Sequence, residues 1–318
     1  MAEAERLCRQ CLAEKAPNPE HFHYALGFIL MARRELGGAA QALENAVAAA
    51  PRYVGAWHAL GFVYKDLGRP DRALAALIRA DECPEAGAEV HCNLGLMHLE
   101  RGENRLALAA LRRAVTLDAG QSGAWQALGR AHQALNEMNE AITAYRHAID
   151  CDSRRAGAHL ALGTLLLDLN QTGAVESLGR AAALDSRSAP SAERHARALA
   201  QAGRFTEALA EHERARRLAP GDGAYVLSQA ETLADAGQHG LADELCRQMI
   251  GSPEIRPEDK ALAYRRLAVR ALAHGDASAA CRDLDRAVAL APARDDIRMR
   301  RAMLLLSLGQ FEPGWKEF

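Results

Sequence analysis

Aromatic residues make up only 5% of this 318-residue chain, and lysine is rarer still, with 4 lysines beside 35 arginines. Scarce aromatics and β-branched residues argue against sheets, whose pleated surfaces are built from them. Net charge is nearly absent as well, at −2, so no global excess exists to engage phosphates and no nucleic-acid partner is expected. No apolar run approaches the length of about 18 residues that a membrane span needs. The N-terminus opens with Glu3, Glu5 and Arg6 and lacks the apolar stretch of a secretory signal. The seven cysteines are odd in number and irregularly spaced, which speaks against a disulfide framework and for a reducing, cytoplasmic compartment. Intrinsic disorder is excluded by a 49% hydrophobic content at low net charge. What is abundant is alanine, the strongest helix former, spread along the whole chain.

Small residues recur with a fixed period. One series runs Gly27, Gly61, Gly95, Gly129, Gly163, Ala196, Ala230, Ala268, Ala302, and a second runs Ala39, Ala73, Ala107, Ala141, Ala174, Ala208, Ala242, Ala280, Gly314. Both step by 34 residues except for one interval of 33 and one of 38. Chance places nine small residues in one such register with a probability on the order of 10⁻⁵ in a chain this rich in Gly and Ala. Around the first small slot, apolar groups fall at −4, −1 and +3, as in Trp57, Leu60 and Tyr64, which puts them on one helical face beside a point of close approach. Seven residues after that slot a glycine usually follows (Gly68, Gly102, Gly203, Gly237, Gly275, Gly309), the expected left-handed end of a first helix. A second helix carries the other small slot, and Pro51, Pro84, Pro220 and Pro292 lie in the links between units.

These residues closely resemble the tetratricopeptide repeat family, whose signature is W-x2-L-G-x2-Y followed by A-x3-F, Ala and Pro; the Trp57 and Trp125 units match best. The resemblance implies an all-α fold, a right-handed superhelical solenoid of antiparallel helix pairs. It covers residues 1–318 as a single array, with a leading half-repeat at 1–19, eight complete repeats over 20–294 and an incomplete ninth at 295–318. Later units depart from the signature, with Ala at the first small slot and His195, Gln229 and Arg301 at the usual Leu position, and looser packing is expected there. In the fifth unit one residue is missing between Gly163 and Ala174, which predicts a tighter turn around Asn170. Between Met249 and Ala261 four extra residues with Gly251, Ser252, Pro253 and Pro257 predict a longer loop, read as a tolerated surface insertion rather than a kink or partner contact.

Chemistry-bearing motifs are few. Cys8 and Cys11 form a lone C-x-x-C whose cysteines fall in packing slots, without the further ligands that zinc needs. His21 and His23 point to different faces of a helix, and His91, His132 and His159 sit where other units carry Trp, Leu or Tyr, so packing or capping is expected of them. With no phosphate-binding glycine loop, no H-E-x-x-H and no G-x-S-x-G, no enzymatic activity, no cofactor and no metal are expected within the chain.

A stacked solenoid presents an extended concave surface for a partner. In the resembled family first helices line that groove and hold polypeptides, which here implies Tyr24, Phe28, Met31, His58, Phe62 and Lys65 toward the N-terminus. Toward the C-terminus it implies Arg194, Arg197, Arg265, Arg266 and Arg300, interspersed with Glu193 and Glu231. Neither of two specialised groove designs is complete. No three consecutive units supply the Lys/Asn/Arg clamp of chaperone-tail binders, and of the Asn ladder of O-linked N-acetylglucosamine transferases only Asn93 is present. The expected function is a non-catalytic scaffold, bacterial and cytoplasmic, binding an extended protein or peptide with apolar side chains at one end and acidic ones at the other. The stretch from Leu306 to Phe318 is similar to a divergent last repeat that precedes bacterial glycosyltransferase-like domains, which gives a second expectation: a substrate-recruiting arm whose catalytic domain lies beyond residue 318. Uncapped ends also allow a homo-oligomer through exposed apolar helix faces.

Overall fold

The computed structural model describes residues 2–317, and within them every regular element is helical. The chain divides into two compact units, residues 1–158 and 159–318. The first unit opens with α1 (Ala2–Ala13) and continues through α2 (Pro19–Ala32), α3 (Leu36–Ala49), α4 (Val54–Asp66), α5 (Pro70–Asp81), α6 (Ala88–Glu100), α7 (Asn104–Leu117), α8 (Ser122–Ala134) and α9 (Met138–Cys151). The unit boundary falls inside α10 (Ala156–Asp168). The second unit then holds α11 (Ala174–Leu184), α12 (Ala189–Gln201), α13 (Phe205–Leu218), α14 (Gly223–Asp235), α15 (His239–Gly251), α16 (Pro257–Ala273), α17 (Ala277–Leu290), α18 (Asp295–Ser307) and α19 (Phe311–Glu317). Even-numbered helices are the first members of antiparallel pairs and odd-numbered ones the second.

The periodic small residues mark where paired helices touch. A Cβ added at Gly95 would lie 2.5 Å from Leu111 Cγ, and one at Gly129 would lie 2.5 Å from Tyr145 Cε1; Gly27 and Gly61 face Leu43 and Leu77 in the same way. Each contact joins a first helix to the residue sixteen positions on, in the second helix of its own pair. Removing the side chain on one side lets a Leu or Tyr fill the space at core density. Every pair also needs a left-handed residue seven positions after the slot: Gly68, Gly102, Gly203, Gly237, Gly275 and Gly309 all have positive φ, as expected, and Arg34, Asn136 and Asn170 adopt the same conformation in the remaining pairs.

Tryptophan adds a second tie. Trp57 donates its indole N–H to the Pro51 carbonyl at 2.9 Å and Trp125 to the Ala119 carbonyl at 2.8 Å, fastening each first helix to the link before it. Of the histidines expected to pack or cap, His132 is buried and reaches Glu137 of the adjoining turn at 2.6 Å, His91 is buried and meets Asp81 at 2.5 Å, and His159 is buried; His98, not singled out in the sequence, is also buried and reaches Glu103 at 2.6 Å.

Two expectations are corrected. The missing residue of the fifth repeat opens the turn instead of tightening it. Other pairs are joined by three residues, but Leu169–Gly173 intervenes between α10 and α11, and α11 is only 11 residues long. With one residue fewer, the first turn of α11 cannot keep the usual register after Asn170, so it is lost and Gly173, at φ +92, starts the helix instead. The insertion after Met249 is likewise not a longer loop. Most of it winds into an additional turn, so that α16 starts at Pro257, four residues ahead of the expected Ala261, and runs 17 residues. Proline at the first position, Glu258 and Asp259 in the first turn favour that start. The turn is held down by packing: Ile255 and Asp259 are buried, Asp259 accepts from Arg256 Nε at 3.0 Å, and Gly223 gives it room.

Candidate functional site

First helices of successive pairs touch one another directly, α6 against α8 in the first unit and α14 against both α12 and α16 in the second. Each unit therefore has its own surface built from first helices, and the residues singled out from the sequence fall on these surfaces as two distinct sets.

In the first unit, Phe28 on α2 and Phe62 on α4 occupy the same repeat position and remain 46% and 41% exposed. Tyr24 packs against Phe28 with ring centroids 4.7 Å apart, and His58 against Phe62 at 5.0 Å. Asn93 on α6 joins them, its Nδ2 2.8 Å from His58 Nε2. Burial keeps the His58 pKa below the ordinary histidine value, although Glu89 pulls it the other way. A neutral His58 accepts this hydrogen bond through Nε2, and the Asn93 carbonyl oxygen stays available to a donor. Tyr24, half-buried beside Tyr53 at 4.9 Å, has its pKa raised by burial and then by Glu89. Lys65 lies further along α4 and forms an exposed ion pair with Glu100 at 2.6 Å. The structure thus pairs Tyr24 with Phe28 and joins His58, Phe62 and Asn93, with the Glu89 charge felt by both Tyr24 and His58, while Lys65 is engaged elsewhere. Met31 packs into the core beneath.

In the second unit the arginines are largely spoken for. Arg194 and Arg197 both face Glu193, at 3.8 and 3.9 Å, and Glu193 also accepts from Ser228 at 3.1 Å. Arg265 pairs with Asp296 at 2.6 Å, and Arg266 donates to the Ala230 carbonyl at 2.8 Å. Arg194 and Arg197 lie on α12 while Arg265 and Arg266 lie on α16, two first helices further on. Arg265 and Arg266 border a cavity of about 420 Å³ shared with Leu227, Glu231, Val269 and Arg300.

Two of the three polar replacements in the later repeats find hydrogen-bond partners inside the fold, while the third, His195, has Glu211 at 3.8 Å and a buried Nδ1 without a hydrogen bond. Gln229 accepts from Arg216 at 2.9 Å, and Arg301 bridges Asp285 at 2.7 Å and Glu317 at 2.9 Å. Among the described residues no group of three or more His, Cys, Asp or Glu is placed to hold a metal ion, and Cys8 and Cys11 are both half-buried on α1. No helix is long and apolar enough to cross a membrane. Phe318, the last residue of the motif expected to precede a catalytic domain, lies outside the described residues.

Glu89 is the member of the first set that sequence reasoning missed. It sits in the first turn of α6, six residues ahead of the small slot, where the repeat signature fixes no residue type. Gln126 and Leu227 were missed differently: they occupy the repeat position of Tyr24 and His58, so extending that slot through all repeats finds them.

Comparison with known proteins bears on the fold. Residues 58–124 and residues 122–154 each match a family profile described as tetratricopeptide repeat. A crystal structure of a tetratricopeptide repeat protein from Parabacteroides merdae ATCC 43184 superposes with a TM-score of 0.57 at 16% identity, over 79% of this chain and 98% of that one. The Cut9–Hcn1 hetero-tetramer of the APC/C gives 0.56 at 16% identity, over 74% of this chain and 45% of that one. YrrB, described as a TPR protein with an unusual peptide-binding site, gives 0.51 at 18% identity, over 57% and 94%. No curated protein matches the sequence. Residues 58–154 thus carry tetratricopeptide repeats, and the chain shares the fold of tetratricopeptide repeat proteins.

Proposed function

We propose that the chain is a protein-interaction scaffold and that the surface of α2, α4 and α6 holds an extended polypeptide. The observation that carries this reading is the pair of exposed rings at Phe28 and Phe62, one repeat apart, beside the His58–Asn93 hydrogen bond. Two large aromatics left open at equivalent positions form an apolar floor, and burying them against a partner removes unfavourable surface from water. Asn93 offers both a donor and an acceptor, the complement of a peptide backbone that must lose its water on docking. YrrB, of the same fold, is described as having a peptide-binding site, which supports the class of partner.

The experiment is selection of a random dodecapeptide display library on the immobilised full chain. Enriched sequences should carry two bulky apolar residues, and the double variant Phe28→Ser, Phe62→Ser should bind a selected peptide at least tenfold more weakly. Both rings are exposed, so the variant should remain folded. Undiminished binding by it, or no enrichment, removes this surface as the docking site.

A further inference from the structure

The cavity between α14 and α16 is a different kind of site. Four guanidiniums border it, those of Arg265, Arg266, Arg270 and Arg300, against two carboxylates, Glu231 and Asp243. Several of their donors are unspent. Arg266 bonds the Ala230 carbonyl through Nη2 and lies against the Cys246 thiol, yet its Nε is buried without a hydrogen-bond partner. The Nε of Arg270 is buried in the same condition, with Asp243 at 3.8 Å, beyond hydrogen-bonding reach. Arg300 is exposed and has no ion-pair partner among the described residues. Leaving buried charged donors unmatched is costly, and a guanidinium fork is shaped to receive a carboxylate.

Arg300 also borders a second depression of about 370 Å³, between α16 and α18, floored by Leu272, Met299 and Met303. Arg300 therefore stands between two hollows with apolar patches, Val269 and Leu227 on one side and the methionines on the other, and the carboxylate of Asp296 at the edge of the second is engaged by Arg265 and Arg294. Val269 is 43% exposed and Met303 60%, although neither faces a partner within the fold. Neighbouring packed helices lie roughly 8–10 Å apart, which an extended chain spans in about three residues at roughly 3.3 Å each.

We infer that this surface of the second unit binds an acidic polypeptide segment in which a carboxylate side chain meets Arg300 and bulky apolar residues on either side fill the two hollows. The assignment rests on the scaffold reading for its class of partner, but on none of the residues of the first unit. Charge decides between occupants: a purely apolar segment would leave Arg300 unpaired, and a small anion would leave Val269, Met299 and Met303 uncovered.

The test is fluorescence anisotropy of the full chain with a fluorescein-labelled peptide, Gly-Ser-Leu-Glu-Asp-Leu-Ser-Gly, amidated so that it has no terminal carboxylate. Its counterpart with Gln-Asn in place of Glu-Asp is the control. The acidic peptide should bind at least tenfold more tightly than the amide peptide. Arg300→Gln and Val269→Ser should each weaken it about fivefold or more, with the helical circular dichroism of the chain unchanged. The Phe28→Ser, Phe62→Ser variant should bind it normally, so failure here and failure of the first surface are separable. Equal affinity for the two peptides, no detectable binding, or full affinity in Arg300→Gln overturns the assignment. Displacement of the peptide by inorganic phosphate at equal concentration overturns it too, since the site would then be one for a small anion.

Discussion

The two units close the same helix pair by opposite means. In the first unit, Gly27, Gly61, Gly95 and Gly129 each leave room for a Leu or Tyr sixteen residues on. In the second, the pair of α10 and α11 keeps this arrangement through Gly163 and Leu178, but α12 and α14 carry Ala196 and Ala230, and the residues sixteen on are His212 and Cys246. All four of these later residues are fully buried. In these two pairs the first helix gains a methyl and the second gives up its leucine, whereas the pair of α16 and α17 sets Ala268 in one core with a fully buried Leu284. Glycine inside a helix costs about 1 kcal/mol relative to alanine. The first unit accepts that cost in return for a large apolar side chain at the contact; α12 and α14 keep the better helix former and admit a polar or small partner, and α16 keeps it with a leucine. The candidate first-helix surfaces differ as well, with Phe28 and Phe62 exposed in the first unit and arginines on α12, α16 and α18 in the second.

The sharpest way to break this comparison is to remove the large partner. Leu111→Ala takes a fully buried side chain from opposite Gly95 and should cost about 2–5 kcal/mol. Cys246→Ala should cost distinctly less, because only a small thiol is removed. Urea unfolding measures both, and equal losses would show that the two contacts are not different solutions.

A second test concerns the acid sensitivity that His212 gives the second unit. His212 is buried, its Nε2 2.9 Å from Thr232 Oγ1, and burial together with the Arg197 charge pushes its pKa from 6.5 down to about 4. Between these values the unfolded chain binds the proton and the folded chain does not. Stability from this residue is therefore complete above pH 6.5 and falls by about 3 kcal/mol as the pH drops to 4. His212→Gln, which keeps a hydrogen-bonding group for Thr232, should lose this part of the pH slope in urea titrations between pH 7 and 4. An identical slope in both proteins would contradict the assignment.

The finest test converts one solution into the other. Cys246→Leu should destabilise by about 1–3 kcal/mol through overpacking against Ala230. Adding Ala230→Gly rebuilds the Gly–Leu contact of the first unit, and the two changes should couple favourably by about 0.5–3 kcal/mol in a double-mutant cycle. Strict additivity would mean that the two positions do not share one space.

The repeat was legible because its causes are local and recur. A helix face with one small slot, a left-handed residue seven positions later and a proline in the link each leave a mark in one dimension. The two irregular repeats were visible as changes of spacing and misread as changes of loop length. Spacing counts residues but does not say whether they coil. Whether four more of them wind onto α16 depended on burying Ile255 and Asp259 against the preceding pair, a contact absent from the local pattern. The candidate surfaces were legible to the same extent: slot positions placed Phe28, Phe62 and Asn93 on first helices, but the role of Glu89 arises only from where α6 lies. Trp125 shows the intermediate case. Its slot implied burial between helices; it is half-buried, and its indole N–H is spent on the Ala119 carbonyl of the link.

By itself, then, the sequence determined that this protein is a run of 34-residue helix pairs, because helix propensity, small slots and turn residues act within one repeat. The tertiary structure decided which charges remain free. Arg194 and Arg197 have Glu193 beside them on their own helix, but Arg265 and Arg300 look alike in the sequence, and only the approach of Asp296 from α18 neutralises Arg265. Electrostatic complementarity depends on distance through space, and the repeat period fixes position along the chain but not the partner met across it.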